Sequence, residues 1–286
     1  LQMDFCFYLY YNDCIWQADH AGYIERSGRE TEMAMDIKLY YTEEGSGTPL
    51  ILLHGNGEDG SYFVHQIKYF KNRYRVIALD TRGHGQSPRG EKPFTIRQFA
   101  EDLHDFMDEK GIGKAHILGF SDGGNIALVF ALKYPERVDH LVLNGANLDA
   151  SGVKPSTQIP IVIGYWIASA FASFGKNLSV KNAGKKGDGS SFAEKARRNA
   201  EMLGLMVNDP NIRPEELSEN KNPYFIKMKK LVIAGDKDMI KDEHTRLIYA
   251  SLPNAEIRVL HGTHFIAKEK YREFNHAVEE FLERKL

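Results

Sequence analysis

Cysteine is scarce in this sequence: Cys6 and Cys14 are the only two among 286 residues. Two cysteines do not make a disulfide framework, so we expect two free thiols in a reducing compartment. Charge of one sign is not in excess either, because 37 Lys and Arg residues stand against 39 Asp and Glu residues. The net charge of −2 therefore argues against a nucleic-acid partner or an anionic membrane partner.

Long hydrophobic runs are also missing. The longest, IPIVIGYWIASAFASF at residues 159–174, is shorter than the roughly 20 residues that span a bilayer. It predicts a buried or pocket-lining helix instead. The first residues, LQMDFCFYLYYNDCIW, have no basic start and carry Asp4 and Asp13 inside their apolar stretch, unlike a secretory signal. These absences predict a soluble, cytoplasmic protein.

What the sequence does contain is a regular alternation of two kinds of segment. Short, continuous apolar runs such as LILLHG, RVIALD, AHILGF and KLVIAGD are typical of strands buried on both faces. Segments with helical spacing separate them, and one of these has Thr95 and Gln98 as a capping box and Gly111 as its end. The alternation predicts an α/β fold with a mostly parallel sheet and helices on both faces.

The same patterns divide the chain into regions. Residues 1–32 are aromatic-rich without a clear period, and we interpret them as an extension of unknown role. Their aromatic side chains could bury against the core or against a second subunit of a homodimer. Residues 33–148 and 223–286 carry the alternation and form the predicted core. Residues 149–222 lack the buried-strand pattern and predict a helical cap.

A candidate nucleophile lies in GFSDGG, between a predicted strand and a predicted helix. The pattern G-x-S-x-G in that context is the nucleophile elbow, a sharp turn that lifts the serine clear of the sheet. Side chains two residues either side of Ser121 would clash, which explains Gly119 and Gly123. Gly124 lets the helix pack close to the strand.

A serine needs a base, and the base needs an orienting carboxylate, in the chain order Ser, acid, His for this elbow. Asp238 lies just beyond a strand, and we prefer it to its neighbour Asp236. After the last strand, His264 stands in the loop, whereas His261 abuts the strand end, so we prefer His264. The motif HGTH has no carboxylate or cysteine ligand set beside it, so we predict no metal.

The oxyanion of a tetrahedral intermediate needs backbone donors. One is the N–H of Asp122, which follows the nucleophile. The other should come from the loop HGNGEDG after the first buried strand, where the N–H of Asn56 is preferred to that of Gly57. His54 in the same loop is interpreted as a structural histidine.

Taken in order, HGNG, DTRGHGQS, GFSDGG, GDKD and GTH resemble the α/β-hydrolase superfamily over residues 36–286. The resemblance implies a mostly parallel sheet of about eight strands, a helical cap and no cofactor. It also implies that Arg82 and His84, in the turn DTRGHGQS, are structural.

Within the superfamily, SDGGNIAL is similar to the amino-acid-ester hydrolases of the valacyclovir-hydrolase type. That resemblance implies that the Asp122 carboxylate receives a substrate ammonium group. The alternative is that Asp122 caps the helix N-terminus, where an acid is favourable anyway. Trp166 is a predicted substrate contact, one of several apolar cap residues that would form either a substrate wall or a plain cap core: Ile159, Ile163, Tyr165, Trp166 and Phe171.

We therefore predict a serine hydrolase of small-molecule carboxylic esters, thioesters or lactones that works through an acyl-enzyme. The same triad could serve an amino-terminal peptidase or amidase, a C–C bond hydrolase or perhydrolysis. A ligand receptor that has lost turnover is a third hypothesis. The predicted partner is a small-molecule substrate, and the sequence sets only its reaction class, because the cap sets specificity.

Overall fold

The apolar runs of the sequence form the strands of one sheet. The structure, a computed structural model, describes the backbone of residues 36–181 and 189–284, and their side chains except over 174–193. The predicted extension, residues 1–32, lies outside the described residues. The strands are Tyr41–Glu44 (β1), Pro49–Leu53 (β2), Arg75–Leu79 (β3), Ala115–Phe120 (β4), Val138–Asn144 (β5), Lys229–Gly235 (β6) and Ala255–Leu260 (β7).

The strand order within the sheet is β1-β3-β2-β4-β5-β6-β7. Only β1 runs antiparallel to its neighbour, and all the other described pairs are parallel. The predicted α/β fold with a mostly parallel sheet is confirmed. The described residues supply seven strands, where the resemblance implies about eight.

Helices follow most of the strands and cover both faces of the sheet. They are Val64–Phe70 (α1), Ile96–Glu109 (α2), Asp122–Lys133 (α3), Pro155–Lys181 (α4), Gly189–Asn208 (α5), Pro214–Ser218 (α6), Pro223–Lys227 (α7), Asp242–Ser251 (α8), Ile266–Glu269 (α9) and Tyr271–Glu283 (α10). None of these described helices combines the length and apolar content needed to cross a bilayer.

The alternation of side chains along each strand builds two hydrophobic clusters, one on each face. In β2, Ile51 and Leu53 join the cluster that packs against α2 and α3. Leu50 and Leu52 point the other way, into the cluster with α1 and α10. A run of four consecutive apolar residues is thus fully buried because helices cover the strand from both sides.

Helix α2 begins as the sequence predicts. The Thr95 hydroxyl accepts a hydrogen bond from the Gln98 backbone N–H at 3.2 Å. The Gln98 side chain, however, donates to Asp102 at 3.0 Å instead of returning to the cap residue, so the capping box is half made. Gly111 follows the helix with a φ of +62°, which only glycine adopts at little cost.

Between β5 and β6 the chain forms what we call the helical insertion, residues 150–227. Its two long helices, α4 and α5, pack against each other. Polar contacts fix α5 to the loop that follows β3. The Arg198 guanidinium donates to the Gly83 carbonyl at 2.6 Å, and Arg89 pairs with Glu201 at 2.9 Å. The insertion is therefore attached to the edge where the parallel strands end.

A buried ion pair holds the loop after β3. Arg82 is fully buried and donates two hydrogen bonds to the Asp102 carboxylate of α2, at 2.6 and 2.7 Å. A further donor of Arg82 reaches Asp36 at 2.5 Å. The guanidinium thus binds two carboxylates of other segments, which agrees with the structural role that the resemblance implies.

We predict that Arg82→Ala lowers the free energy of unfolding by about 3–5 kcal/mol, because it leaves the Asp102 carboxylate buried without its partner. Arg75→Ala is the control, since Arg75 makes a similar two-bond contact with Glu43 at the surface. Its loss should cost about 0–1 kcal/mol. Urea unfolding curves measure both, and equal losses would contradict the structural role of Arg82.

Candidate active site

The turn between β4 and α3 is sharp and leaves no room for side chains at its glycine positions. Ser121 has a φ of +53°, a left-handed conformation that is uncommon outside glycine. A Cβ on Gly119 would collide with the backbone of Gly123, and a Cβ on Gly123 would collide with the Leu53 carbonyl of β2. Steric clashes therefore explain why positions 119 and 123 are glycine, as the sequence predicts.

Three strand ends meet around Ser121. Its backbone N–H donates to the Asn144 carbonyl at the end of β5, at 2.8 Å. From β2, the backbone of Gly55 comes so close that a Cβ there would lie 3.0 Å from the Cβ of Ser121. Residues that follow any of these strands can therefore contact the same small space.

His264 and Asp238 form a buried pair at this edge. The Nδ1 of His264 lies 2.6 Å from Asp238 Oδ1, and the side chains are only 5% and 3% exposed. Asp238 Oδ1 also accepts the Ile240 backbone N–H at 2.9 Å, which fixes the carboxylate. With the carboxylate bonded to Nδ1, the Nε2 atom of the imidazole is available to other groups.

The pair lies beside the turn that carries Ser121. The His264 ring centroid is 4.9 Å from that of Phe120, the residue before Ser121. A Cβ on Gly145, which directly follows β5, would lie 2.6 Å from His264 Cε1 and 3.5 Å from Asp238 Oδ2. Gly145 therefore provides the space in which the imidazole is seated.

The two residues that competed with this pair in the sequence contact each other instead. His261 Nδ1 lies 2.8 Å from Asp236 Oδ2, and the side chains are 70% and 43% exposed. Two separate His–Asp pairs thus follow β6 and β7. Of the two, the pair of His264 and Asp238 is the buried one and the one beside Phe120.

Asn56 and Asp122, the predicted oxyanion donors, are joined through their side chains. Asn56 follows β2, Asp122 opens α3, and Asn56 Nδ2 donates to Asp122 Oδ2 at 2.9 Å. The same Nδ2 donates to the Met202 carbonyl of α5 at 2.7 Å. One amide thus joins the loop after β2, the start of α3 and the helical insertion.

The histidines of the neighbouring loops are structural. His54 is buried, and its Nε2 accepts the Thr81 backbone N–H at 3.0 Å, so it connects the loops after β2 and β3. His84 lies 3.1 Å from the Thr81 hydroxyl through Nδ1. Burial lowers the pKa of both His54 and His84 to about 4, so both rings are neutral at pH 7.

The Asp122 carboxylate is buried among amides. Besides Asn56, it accepts a longer hydrogen bond of 3.4 Å from Asn125. Burial raises the pKa of Asp122, whereas the hydrogen bond from Asn56 and the nearby His264 lower it. Its hydrogen-bond partners among the described residues are two amide side chains. A carboxylate has about four acceptor positions, so some of its lone pairs remain available.

Sequence reasoning missed Asp209, at the end of α5. Burial and, to a smaller extent, the charge of Asp122 raise the pKa of Asp209 to about 6, while the Ile96 N–H and Arg97 act the other way. The two carboxylates therefore interact electrostatically. No local motif marks Asp209, because its neighbour Asp122 stands 87 positions earlier in the chain.

Trp166, the predicted substrate contact, lies on α4 and is 63% exposed. Its ring centroid is 5.8 Å from that of Tyr165. Ile159 and Ile163 on the same helix are also more than half exposed. No described contact joins Trp166 to Ser121, so its role in binding stays a prediction.

Similarity to known proteins gives the family of the chain. Residues 48–193 match the α/β hydrolase fold family, which is about half of the chain. The chain belongs to the α/β-hydrolase family. A 2-hydroxy-6-oxononadienedioate/2-hydroxy-6-oxononatrienedioate hydrolase from Burkholderia vietnamiensis is 30% identical over 274 residues, which covers 88% of this chain and 93% of that protein.

Other relatives are similarly distant. The 3-oxoadipate enol-lactonase 2 of Acinetobacter baylyi is 27% identical over 90% of this α/β hydrolase and 97% of its own length. A carbamate hydrolase from Azorhizobium caulinodans is 38% identical, but the match covers only 38% of this chain and 42% of that protein. The crystal structure of a hydrolase from Pseudomonas aeruginosa has a TM-score of 0.65 at 24% identity, over 88% of this chain and 100% of that one.

We predict that Gly145→Ala slows covalent labelling of Ser121 by a fluorophosphonate at least tenfold, because the new methyl group displaces the His264 ring. Gly111→Ala is the matched control: Gly111 has nearly the same φ, +62° against +63°, but its Cβ would meet nothing within 4 Å. Both variants should lose about 1–2 kcal/mol of stability from the left-handed backbone.

Labelling rates and urea unfolding curves separate the two effects. Equal labelling rates for Gly145→Ala and Gly111→Ala, at similar stability, would show that the position of His264 does not matter to the reactivity of Ser121.

Proposed function

We propose that this α/β hydrolase cleaves small-molecule carboxylic esters, with thioesters and lactones in the same class, through a triad of Ser121, His264 and Asp238. One observation carries the proposal. The buried pair of His264 and Asp238, at 2.6 Å, lies beside the turn that holds Ser121 in a left-handed conformation. A histidine base held by a carboxylate next to a serine at a strand–helix turn is the arrangement that activates serine.

The reaction would proceed in two halves. His264 Nε2 takes the proton of the Ser121 hydroxyl as its oxygen attacks the substrate carbonyl. Asp238 stabilises the imidazolium that forms, and the proton then passes to the leaving alcohol. Water, deprotonated by the same imidazole, hydrolyses the acyl-enzyme and releases the acid.

Two backbone donors would stabilise the tetrahedral oxyanion, the N–H groups of Asn56 and Asp122. The side-chain bond between these residues supports the proposal, because it holds the loop after β2 against the start of α3. The helical insertion would serve as the cap over this site. Its backbone at Met202 contacts the same Asn56 amide.

We further propose that the substrate carries a positive charge near its acyl group. Asp122 and Asp209 are two partly desolvated carboxylates close enough for their charges to interact. A cation between them would relieve that repulsion and strengthen both interactions in a low-dielectric pocket. An α-ammonium group is the simplest such cation, so aminoacyl esters are the preferred class.

The same charge favours one alternative and disfavours another. An amino-terminal peptidase or amidase would also present an ammonium group to Asp122, so it remains the second candidate. The disfavoured alternative is the C–C bond hydrolase, if its substrate resembles the dianionic dioate for which the relative from Burkholderia vietnamiensis is named. Two acidic side chains would repel such a substrate.

We predict that Ser121→Ala abolishes both fluorophosphonate labelling and hydrolysis of p-nitrophenyl esters. Asp238→Asn should lower kcat by a factor of about 10⁴, because the histidine loses its correct tautomer. Asp236→Asn, at the exposed His–Asp pair, is the matched control and should keep full activity. Stopped assays with the purified full chain measure all three. Loss of activity in Asp236→Asn alone would instead place the triad at the exposed pair.

We predict that the wild-type protein prefers the p-nitrophenyl ester of L-valine over that of isovalerate, its deaminated analogue, by at least tenfold in kcat/KM. The preference should increase from pH 5 to pH 6.5, because Asp209 ionises with a pKa of about 6 while the ammonium stays charged. Using the ratio of the two esters cancels the titration of the triad, which affects both.

Asp122→Asn should remove the preference and leave isovalerate hydrolysis within a few-fold of wild type. Asp209→Asn should remove its pH dependence. Equal rates for both esters at every pH, with Ser121→Ala inactive, would keep the triad and reject the cationic substrate. Cleavage of an aminoacyl amide faster than the matched ester would favour the peptidase alternative.

A further inference from the structure

Far from the triad, three side chains of metal-binding types come together at the amino ends of two neighbouring strands. They are His116 near the start of β4 and the consecutive residues Asp139 and His140 near the start of β5. One ligand atom from each lies within 4.8 Å of the others. His116 is buried, His140 is mostly buried and Asp139 is partly exposed, so the group is open to solvent on the side of the carboxylate.

An irregularity in the sheet makes this grouping possible. Consecutive residues of a regular strand point to opposite faces, which would separate Asp139 from His140. Here the register between β4 and β5 shifts by one residue, from Ala115 beside Val138 to Ile117 beside Leu141. Two residues of β5 therefore oppose His116 alone. Such bulges re-aim side chains and are frequent next to functional sites.

The two distances from the histidines to the carboxylate match those between the ligands of a coordinated ion. His116 Nδ1 and His140 Nδ1 lie 3.4 and 3.3 Å from the same oxygen, Asp139 Oδ2. Ligand atoms bound tetrahedrally at about 2.0–2.1 Å lie roughly 3.3 Å from one another. We infer that His116, Asp139 and His140 form a binding site for a divalent transition-metal ion such as Zn²⁺, with water in the remaining position.

The surroundings support a binding role for the rings. The Nδ1 atoms of both histidines and the Nε2 of His140 are buried without a hydrogen-bond partner among the described residues. Aromatic rings flank the site, with Tyr74 at 5.6 Å from the His116 ring and Phe281 at 5.5 Å from the His140 ring. Two imidazoles and one carboxylate suit Zn²⁺, Cu²⁺ or Ni²⁺ better than Mg²⁺ or Ca²⁺.

One cation already competes for the carboxylate. The Lys114 ammonium lies 3.3 Å from Asp139 Oδ1, the oxygen that does not face the two rings. Oδ2 therefore remains directed at the imidazoles while Oδ1 faces the lysine. The alternative to a metal site is a plain hydrogen-bonded cluster in which both rings share Oδ2.

The site is independent of the proposed hydrolysis. His116 precedes Ser121 by five residues along β4, which is roughly 16 Å at the rise of a strand. An ion at this end cannot contact the reacting atoms. It would instead join β4 to β5 at the bulge, where the regular pairing is interrupted, and so stabilise the sheet.

The test uses the full chain with the thiols of Cys6 and Cys14 alkylated and bound metal removed with EDTA. Zn²⁺ is titrated calorimetrically, and Co²⁺ is followed by its visible ligand-field absorption. We expect one equivalent of Zn²⁺ to bind at micromolar concentration and to raise the Tm. Asp139→Asn and His140→Ala should each weaken binding at least tenfold and remove the Co²⁺ absorption and the Tm rise.

His276→Ala is the matched control, because His276 lies in an exposed contact with Glu280 at 3.5 Å and its loss should leave binding unchanged. Circular dichroism and urea unfolding curves check that each variant is folded. No saturable binding below about 100 μM would overturn the inference. Binding that persists in Asp139→Asn and His140→Ala would place the ion elsewhere and overturn it equally.

Discussion

The close approach of backbones at the turn after β4 is the constraint on which the candidate site depends. A methyl group on Gly119 or Gly123 would collide with main-chain atoms, one across the turn and the other on β2. Main-chain atoms cannot rotate away as a side chain can, so the turn has one available shape. Ser121 is thereby kept in a backbone conformation that is unfavourable for residues other than glycine. Strained residues of this kind cluster at functional sites.

Around this fixed point the buried charges divide into two groups. The Asp238 carboxylate is matched by the imidazole of His264 and by a backbone N–H, so its charge is compensated inside the protein. Asp122 has amide side chains as partners, Asp209 has a backbone N–H, and the charge of Asp122 raises the pKa of Asp209. The first group suits proton transfer between Ser121 and substrate. The second would, under the proposed function, be balanced by a charge on the substrate.

Local patterns in the sequence were sufficient to predict the strands and helices of the core. AHILGF was predicted as a strand and forms β4 over those same residues, because a continuous apolar run between turn signals has few other stable states. Asp238 and His264 could be named since each follows a strand at the same edge. Asp209 could not, because only the packing of the helical insertion brings it near Asp122. The cluster at Asp139 and His140 also escaped prediction: strand alternation places these residues on opposite faces, and no signal in the sequence marks the bulge.

The Asn56 amide, with one nitrogen donating to both Asp122 and the Met202 carbonyl, bears on how this enzyme can diverge. In a fold whose core carries an inserted segment over the site, new specificity evolves most easily when that segment can be exchanged as a unit. Here the helical insertion supplies a main-chain acceptor to Asn56, a proposed oxyanion donor, and any replacement must supply an equivalent group or leave one N–H of the amide without a partner. The helical insertion and the core are therefore bound to change together. Substitutions of side chains around a retained backbone are expected, rather than exchange of the whole insertion.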